Sequence, residues 1–474
     1  MRRSFTLLML LTASAAVVLF TLRLMLQGLV DSKPWELRRA LRWMKATSPQ
    51  QSAAACRLAA ISIESVTIKR GIVLPLFDPI AALGVSLLAQ LSAQGVDLPV
   101  EIPHCGDLDP KWRALLSQHR SMWDPNPTRL QPVRVYDVCE AAVRLNSDGY
   151  VVFCRSIHDC HNRFRGFDIK ILALLLSRFD EIMLVDADTL FFSSPMALWS
   201  TEKYQETGTL FFHDRVSFER AYLDESVTLD GRPASELQRF LHTFDIQPFQ
   251  SIRTLPRSPA PPQLIAQLNV SLPFQPSPFL LQSHSWNRRA GHQLDSSLLL
   301  WHKSRQARAT AILASFITLG ADDVHRPPSY GDKELYFVAC ELAETAYAFS
   351  DFGVGAIGTD ARDGSSSSSG HSVLCGDALH FVPGDDHEDV RPLYINSDAF
   401  LTWNTTSSFR ALFRTRARPA ADYGGSFATR SLPHVCPFDV SVAPLSESEQ
   451  VTIRQRQELF AAAVSLESDS HTTR

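Results

Sequence analysis

At 474 residues, with 45% apolar and 20% charged side chains, the chain has the composition of a folded protein with a large core, which excludes disorder throughout. Its formal net charge of -4 is small for that length and excludes a nucleic-acid partner held by bulk electrostatics. Partners must therefore be read from sites.

The first element in chain order is apolar. Arg2 and Arg3 precede an uncharged run, Phe5 to Leu22, which as a helix rises about 27 Å, close to the ~30 Å of a hydrocarbon core. Positive charge before the run and a long chain after it predict a signal anchor over residues 5–30, with residues 1–4 cytosolic and the bulk lumenal. A cleaved signal peptide with Ala13-Ser14-Ala15 as its cleavage signal is the competing reading; the run continues past that point, which favours the anchor. Asn269-Val270-Ser271 and Asn404-Thr405-Thr406 are N-glycosylation acceptor patterns, and the 8 cysteines are an even number able to pair in an oxidising lumen.

Residues 31–66 mix helix formers with Lys, Arg and Ser and read as a stem. Ile72 to Leu74 then reads as a short buried strand ended by Pro75. "IAALGVSLLAQLSAQG" carries apolar residues at helical spacing, and "LPVEIP" reads as the next strand. This β-α-β opening, repeated at "FDIKILALLLSRFDEIMLVDAD", predicts an α/β body with a mainly parallel sheet over residues 67–440. Residues 250–279 and the Ser-rich "DARDGSSSSSGHS" at 360–372 read as irregular, and 441–474 as a polar, partly helical tail without chemistry.

Two carboxylates interrupt the apolar run "FDEIMLVDADTLFF" at 179–192. Residues i and i+2 of a strand share a face, so Asp186 and Asp188 project side by side, about 6.6 Å apart along the chain. In open parallel sheets ligands sit beyond the carboxyl ends of the strands, where this pair falls. Hard oxygen ligands favour Mg²⁺ or Mn²⁺, which in turn binds diphosphate oxygens. The layout is that of a metal-dependent nucleotide-sugar site. A second Asp-x-Asp, Asp107 and Asp109 in "CGDLDP", lacks the apolar lead-in and reads as a solvated turn.

The blocks "RGIVLPLFDPIAALGVSLLAQLSAQGVDLPVEI", "FDIKILALLLSRFDEIMLVDADTLFFSSPMALW", "HQLDSSLLLWHKSR", "YGDKELYFVACELAETAYAFSDFGVGAIG" and "ALHFVPG" stand in the order and approximate spacing of the fungal-type Golgi α-mannosyltransferases of glycosyltransferase family 71, which the chain resembles over roughly residues 68–385. The resemblance implies a single-pass type II Golgi membrane enzyme with a lumenal GT-A (Rossmann-like) domain. Such an enzyme transfers mannose from GDP-mannose, with retention and with Mn²⁺ (or Mg²⁺), to a mannose-containing glycan acceptor. Carried over by position, Asp186 and Asp188 resemble the metal and diphosphate motif, and Lys170 resembles the lysine on the preceding helix that faces phosphate. Asp295 resembles a residue at the sugar hydroxyls, Asp332 the carboxylate near the reacting sugar, and His380 the histidine that completes the metal site. Helix capping is the bland reading of Asp295 and Asp332, a solvated surface that of Lys170, and a structural role that of His380.

Two other functions stay open: a UDP-hexose donor, since an Asp pair on a metal sees diphosphate and not the base, and an inactive transferase-like glycan-binding protein. Cys154, His158, Cys160 and His161 form a Cys/His cluster whose spacing matches no common zinc pattern, so an oxidising lumen favours a disulfide there.

Overall fold

The computed structural model describes residues 49–118, 122–124, 132–146, 151–216, 221–319, 326–360, 374–386, 389–402, 412–422, 426–427, 435–437 and 441–469. The expected anchor at 5–30 and most of the Ser-rich stretch lie outside these residues. Among the described residues no helix is long and apolar enough to cross a membrane. The chain divides into two units, residues 1–54 and 55–474; of the first, only the opening of the helix Pro49–Glu64 is described, and everything below concerns the second.

Strands are numbered β1 (Ile68–Val73), β2 (Val100–His104), β3 (Val133–Asp137), β4 (Phe179–Val185), β5 (Thr189–Phe191), β6 (Thr209–His213), β7 (Ser226–Leu229), β8 (Arg232–Ser235), β9 (Leu294–His302), β10 (Gly355–Asp360), β11 (Leu374–Phe381), β12 (Pro392–Asn396), β13 (Leu412–Thr415), β14 (Ser426–Phe427), β15 (Cys436–Pro437) and β16 (Val442–Pro444). The central sheet runs β3-β2-β1-β4-β9-β6. Its β3-β2-β1-β4 half is parallel, while β9 runs antiparallel to both β4 and β6. The expected β-α-β opening is present as β1, the helix Ala81–Ala93 and β2. Strand β1 begins earlier than Ile72, because Arg70 lies opposite Glu181 of β4 and pairs with it, which lets a charged stretch join the ladder.

Both faces of this sheet are covered, and the strand alternation shows it. On β4, Ile182 and Leu184 enter one apolar cluster and Met183 and Val185 the other; on β9, Leu299 and Trp301 face the first and Leu298 and Leu300 the second. The helices Ile169–Leu176, Ala307–Ser315 and Leu335–Leu342 supply the first cluster. The second takes in the helix Ala81–Ala93 and a further sheet of order β16-β13-β10-β11-β12-β5.

Strand β5 of that second sheet follows β4 after three residues, pairing Thr189 with Asn396 and Phe191 with Tyr394 of β12. Asp186, Ala187 and Asp188 are thus the turn by which the chain leaves one sheet and enters the other. The segment expected as a tail is instead part of this body: the helix Glu447–Asp469 lies against the helix Ala81–Ala93, and its Ile453 and Ala463 are buried in the second cluster.

Candidate active site

The turn after β4 is fixed by its backbone. The Asp186 N–H donates to the Ser297 carbonyl of β9 (2.8 Å), and the Asp186 carbonyl accepts from the Thr189 N–H (3.2 Å). Ala187 turns its methyl into the core, 3% exposed, so both carboxylates face the other way. They line a cavity of about 220 Å³ together with Lys170, Arg215, Asp295, Ser296, Asp332, Lys333, Asn396, Phe167 and Tyr330. A larger cavity of about 950 Å³ opens between the hairpin β7–β8 and residues 259–276, but none of the site residues expected from the sequence lines it, so size does not locate the chemistry.

Lys170, near the start of the helix Ile169–Leu176, is buried and reaches the Asp186 carboxylate at 2.7 Å and Asp332 at 3.7 Å. It bridges two carboxylates rather than standing free on a helix surface. Asp332 is 1% exposed and accepts from the Ser296 hydroxyl (3.2 Å) and the Tyr336 hydroxyl (2.9 Å). Asp188 has no ion-pair partner among the described residues; the Asn396 amide, oriented nitrogen-first, donates to both its oxygens at 2.7 and 3.0 Å.

Burial pushes the Asp186 carboxyl up to about 7; Lys170 pulls it down, and Asp188 and Asp332 push it further up. Burial raises Asp188 as well. Burial would also raise Asp295, but the hydrogen bond from His380 overcomes it and holds that carboxyl well below the usual range. Lys333 is already committed to Asp214 at 2.6 Å. The cavity therefore holds an excess of carboxylate that a cation would relieve.

Of the three metal ligands expected from the sequence, the structure brings Asp186 and Asp188 together and sets His380 apart. His380 is 2% exposed, meets Asp295 through Nε2 (3.0 Å) and stacks on Tyr394 at 4.5 Å between centroids. Among the described residues no group of three His, Cys, Asp or Glu side chains stands ready to hold a metal. The donor set that remains, two adjacent carboxylates, fits a Mg²⁺-like or Mn²⁺-like ion whose other positions go to substrate phosphate and water. Asp295, expected at the sugar hydroxyls, lines the cavity but spends Oδ2 on His380 and Oδ1 on the Ser297 N–H (2.9 Å).

The second Asp-x-Asp is a turn and a cap: Asp107 accepts from the Cys105 N–H, and Asp109 caps the helix Pro110–Ser117 through the Lys111 N–H. The Cys/His cluster is no zinc site, because Cys154 and Cys160 are bridged to each other; Cys105 and Cys139 form a second disulfide. Sequence reasoning missed Asn396 and gave no role to Asp214, Arg215 or Lys333. "TLFFHDR" carries the same signal as the Asp pair, an apolar strand ending in charge, whereas nothing local marks Asn396.

The family described as "Mannosyltransferase putative" matches residues 69–379. "Putative alpha-1,3-mannosyltransferase MNN12" of Candida albicans is 24% identical over 306 residues, 62% of this chain and 33% of the relative. "Alpha-1,3-mannosyltransferase MNN1" of Saccharomyces cerevisiae is 26% identical over 298 residues, 61% of this chain and 35% of the relative. The chain thus spans only about a third of these relatives' length. Among solved structures, mouse xyloside xylosyltransferase 1 in its apo form aligns with 60% of this chain and 85% of that one, at 11% identity and a TM-score of 0.27, a likeness too slight to argue from.

Proposed function

The chain belongs to this mannosyltransferase family, and from that premise we propose that it is a metal-dependent retaining glycosyltransferase of the GT-A type that moves mannose from GDP-mannose to a mannose-containing glycan. The observation that carries the proposal is the Asp186–Asp188 pair, set at the junction of two sheets in a cavity that also holds Lys170 and the buried Asp332. Asp186 and Asp188 would hold the divalent ion, which when bound supplies charge neutralisation at the departing diphosphate.

The remaining chemistry belongs to the chain itself. Lys170, between Asp186 and Asp332, fixes the distance from the diphosphate end of the cavity to the carboxylate at the reacting sugar. Asp332, held by two hydroxyl donors, presents fixed negative charge to the cation-like anomeric carbon. Phe167 and Tyr330, each 50% exposed with rings 5.4 Å apart at the same cavity, offer an apolar surface for the C–H face of a pyranose. The apolar run at 5–22 and the acceptor patterns at Asn269 and Asn404 support a Golgi setting with the body in the lumen.

The test is donor turnover by the full chain over a panel of GDP- and UDP-sugars, with Mn²⁺ or with chelator, beside Asp188→Ala. Turnover of GDP-mannose that is lost with chelator and in the variant is the expected result. Preference for a UDP-hexose would overturn the donor assignment. No turnover of any donor by folded protein, with glycan binding indifferent to metal, would overturn the enzyme reading.

A further inference from the structure

The geometry points to Arg456, on the C-terminal helix Glu447–Asp469, as the residue that positions the Asp186–Asp188 turn. Its side chain is fully buried, at 0% exposure. Nη2 donates to the Leu83 carbonyl (3.1 Å) and to the Ala187 carbonyl (3.2 Å), Nη1 donates to the Ser86 hydroxyl, and Nε is buried with no partner. Among the described residues no carboxylate forms an ion pair with it.

A buried guanidinium without a paired carboxylate is costly: desolvating such an ion costs several kcal/mol, and an apolar replacement of similar volume is often neutral or stabilising. Packing alone therefore gives no reason for an arginine here. Ala187 supplies one. Its carbonyl lies in the same rigid peptide plane as the Asp188 N–H, so holding that oxygen sets the angle at which Asp188 leaves the turn. The Ala187 methyl is sunk in the core on one side and its carbonyl is held by Arg456. Asp188 is then gripped from the far side, by the Asn396 amide on its carboxylate and by the Ser397 N–H on its carbonyl (3.1 Å).

The guanidinium is also anchored on the helix Ala81–Ala93, which is buried along nearly its whole length in the second cluster. Arg456 thus ties the turn between the two sheets to this buried helix. It lies beyond residue 379, outside the family match, in the stretch that the sequence presents as a tail.

This role has two readouts, and only the second rests on the metal proposed above. In metal-free full-length protein, Arg456→Met should speed amide hydrogen exchange across 186–190 by about tenfold, the loss of one buried hydrogen bond from a charged donor. Arg456→Lys, which keeps the charge but not the fork, should give a smaller rise in the same direction. Ile453→Ala, a core truncation on the same helix, lowers global stability and should leave that segment within about twofold of the parent once compared at equal stability. Exchange at 186–190 no faster in the Arg456 variants than in Ile453→Ala would overturn the inference. If Arg456→Met does not fold, the Lys variant decides by the same criterion. The second readout is Mn²⁺ binding followed by the ion's paramagnetic resonance, which Arg456→Met should weaken by about tenfold. A parent protein that binds no Mn²⁺ while its turn responds to Arg456 would remove the metal and leave the positioning role standing.

Discussion

Gly331 sits at φ +68°, and a Cβ built on it would stand 2.6 Å from Cγ of Phe167. Any other residue there meets both left-handed strain and a collision beside Asp332. Gly231, in the hairpin β7–β8 at φ +77°, has the same backbone and open space where the Cβ would go. Alanine at Gly231 should cost about 1–2 kcal/mol in denaturant unfolding, and more at Gly331, where the collision adds to the strain. Only Gly331→Ala should also lower the proposed mannosyl transfer, by about tenfold, because only it moves Phe167 and the Asp332 loop. Equal loss of transfer in the two variants would separate the Gly331 loop from the site. At this scale the sequence is readable where a polar residue breaks a long apolar run, as at Asp186 and Asp188; Lys170 is reached only through the family resemblance. Asn396 and Arg456 reach the turn from more than two hundred residues away, and their own neighbourhoods carry no sign of it. His380 is expected as a ligand through the family resemblance and not through its apolar surroundings, and its ring meets Asp295 and Tyr394.

Among the elements, β4 is legible because a strand covered on both faces reads as an apolar run, whereas β9 opens Leu-Asp-Ser-Ser and carries no such run at its start. Strand β1 is only half legible, since Lys69 and Arg70 look like surface until Glu181 stands opposite them. Lys303, immediately after β9, illustrates a charge that an element buries for its backbone bonds: Nζ donates to the Ser177 carbonyl (2.7 Å) at the end of the helix Ile169–Leu176 and to the Ser65 hydroxyl (2.8 Å). Burial pushes its pKa down to about 7. The unfolded chain keeps a lysine near its ordinary value of about 10.4, so between the two values the unfolded state binds more protons and stability rises with pH. Below about 7 both states are charged; the cost is then fully present and adds no slope. Denaturant midpoints measured from pH 6 to 9.5 should climb across the upper part of that range, at about 1.4 kcal/mol per pKa unit of difference at most. Lys303→Met should flatten the climb. An unchanged slope in the variant would assign it to other groups.

At the scale of the whole molecule, a largely parallel sheet and a second antiparallel sheet meet at one turn, and the carboxylate pair is that turn. The α/β class and the carboxyl-end location of the site are legible, because crossover helices and buried strands leave strong periodicities. The second sheet is not. Its strands are mostly short, several lie beyond residue 380, and β5 reads as the continuation of β4 until the partner strand β12 is known. The C-terminal helix is polar enough to read as a tail, yet it carries Ile453 and Arg456 into the core. The central claim is that Asp186 and Asp188 hold a divalent ion against a nucleoside diphosphate, and calorimetric titration of GDP into the full-length protein, with Mn²⁺ or with chelator, tests it most directly. The account predicts binding that requires Mn²⁺ and that Asp188→Ala weakens by more than about tenfold; GDP bound equally well with chelator and by the variant would contradict it.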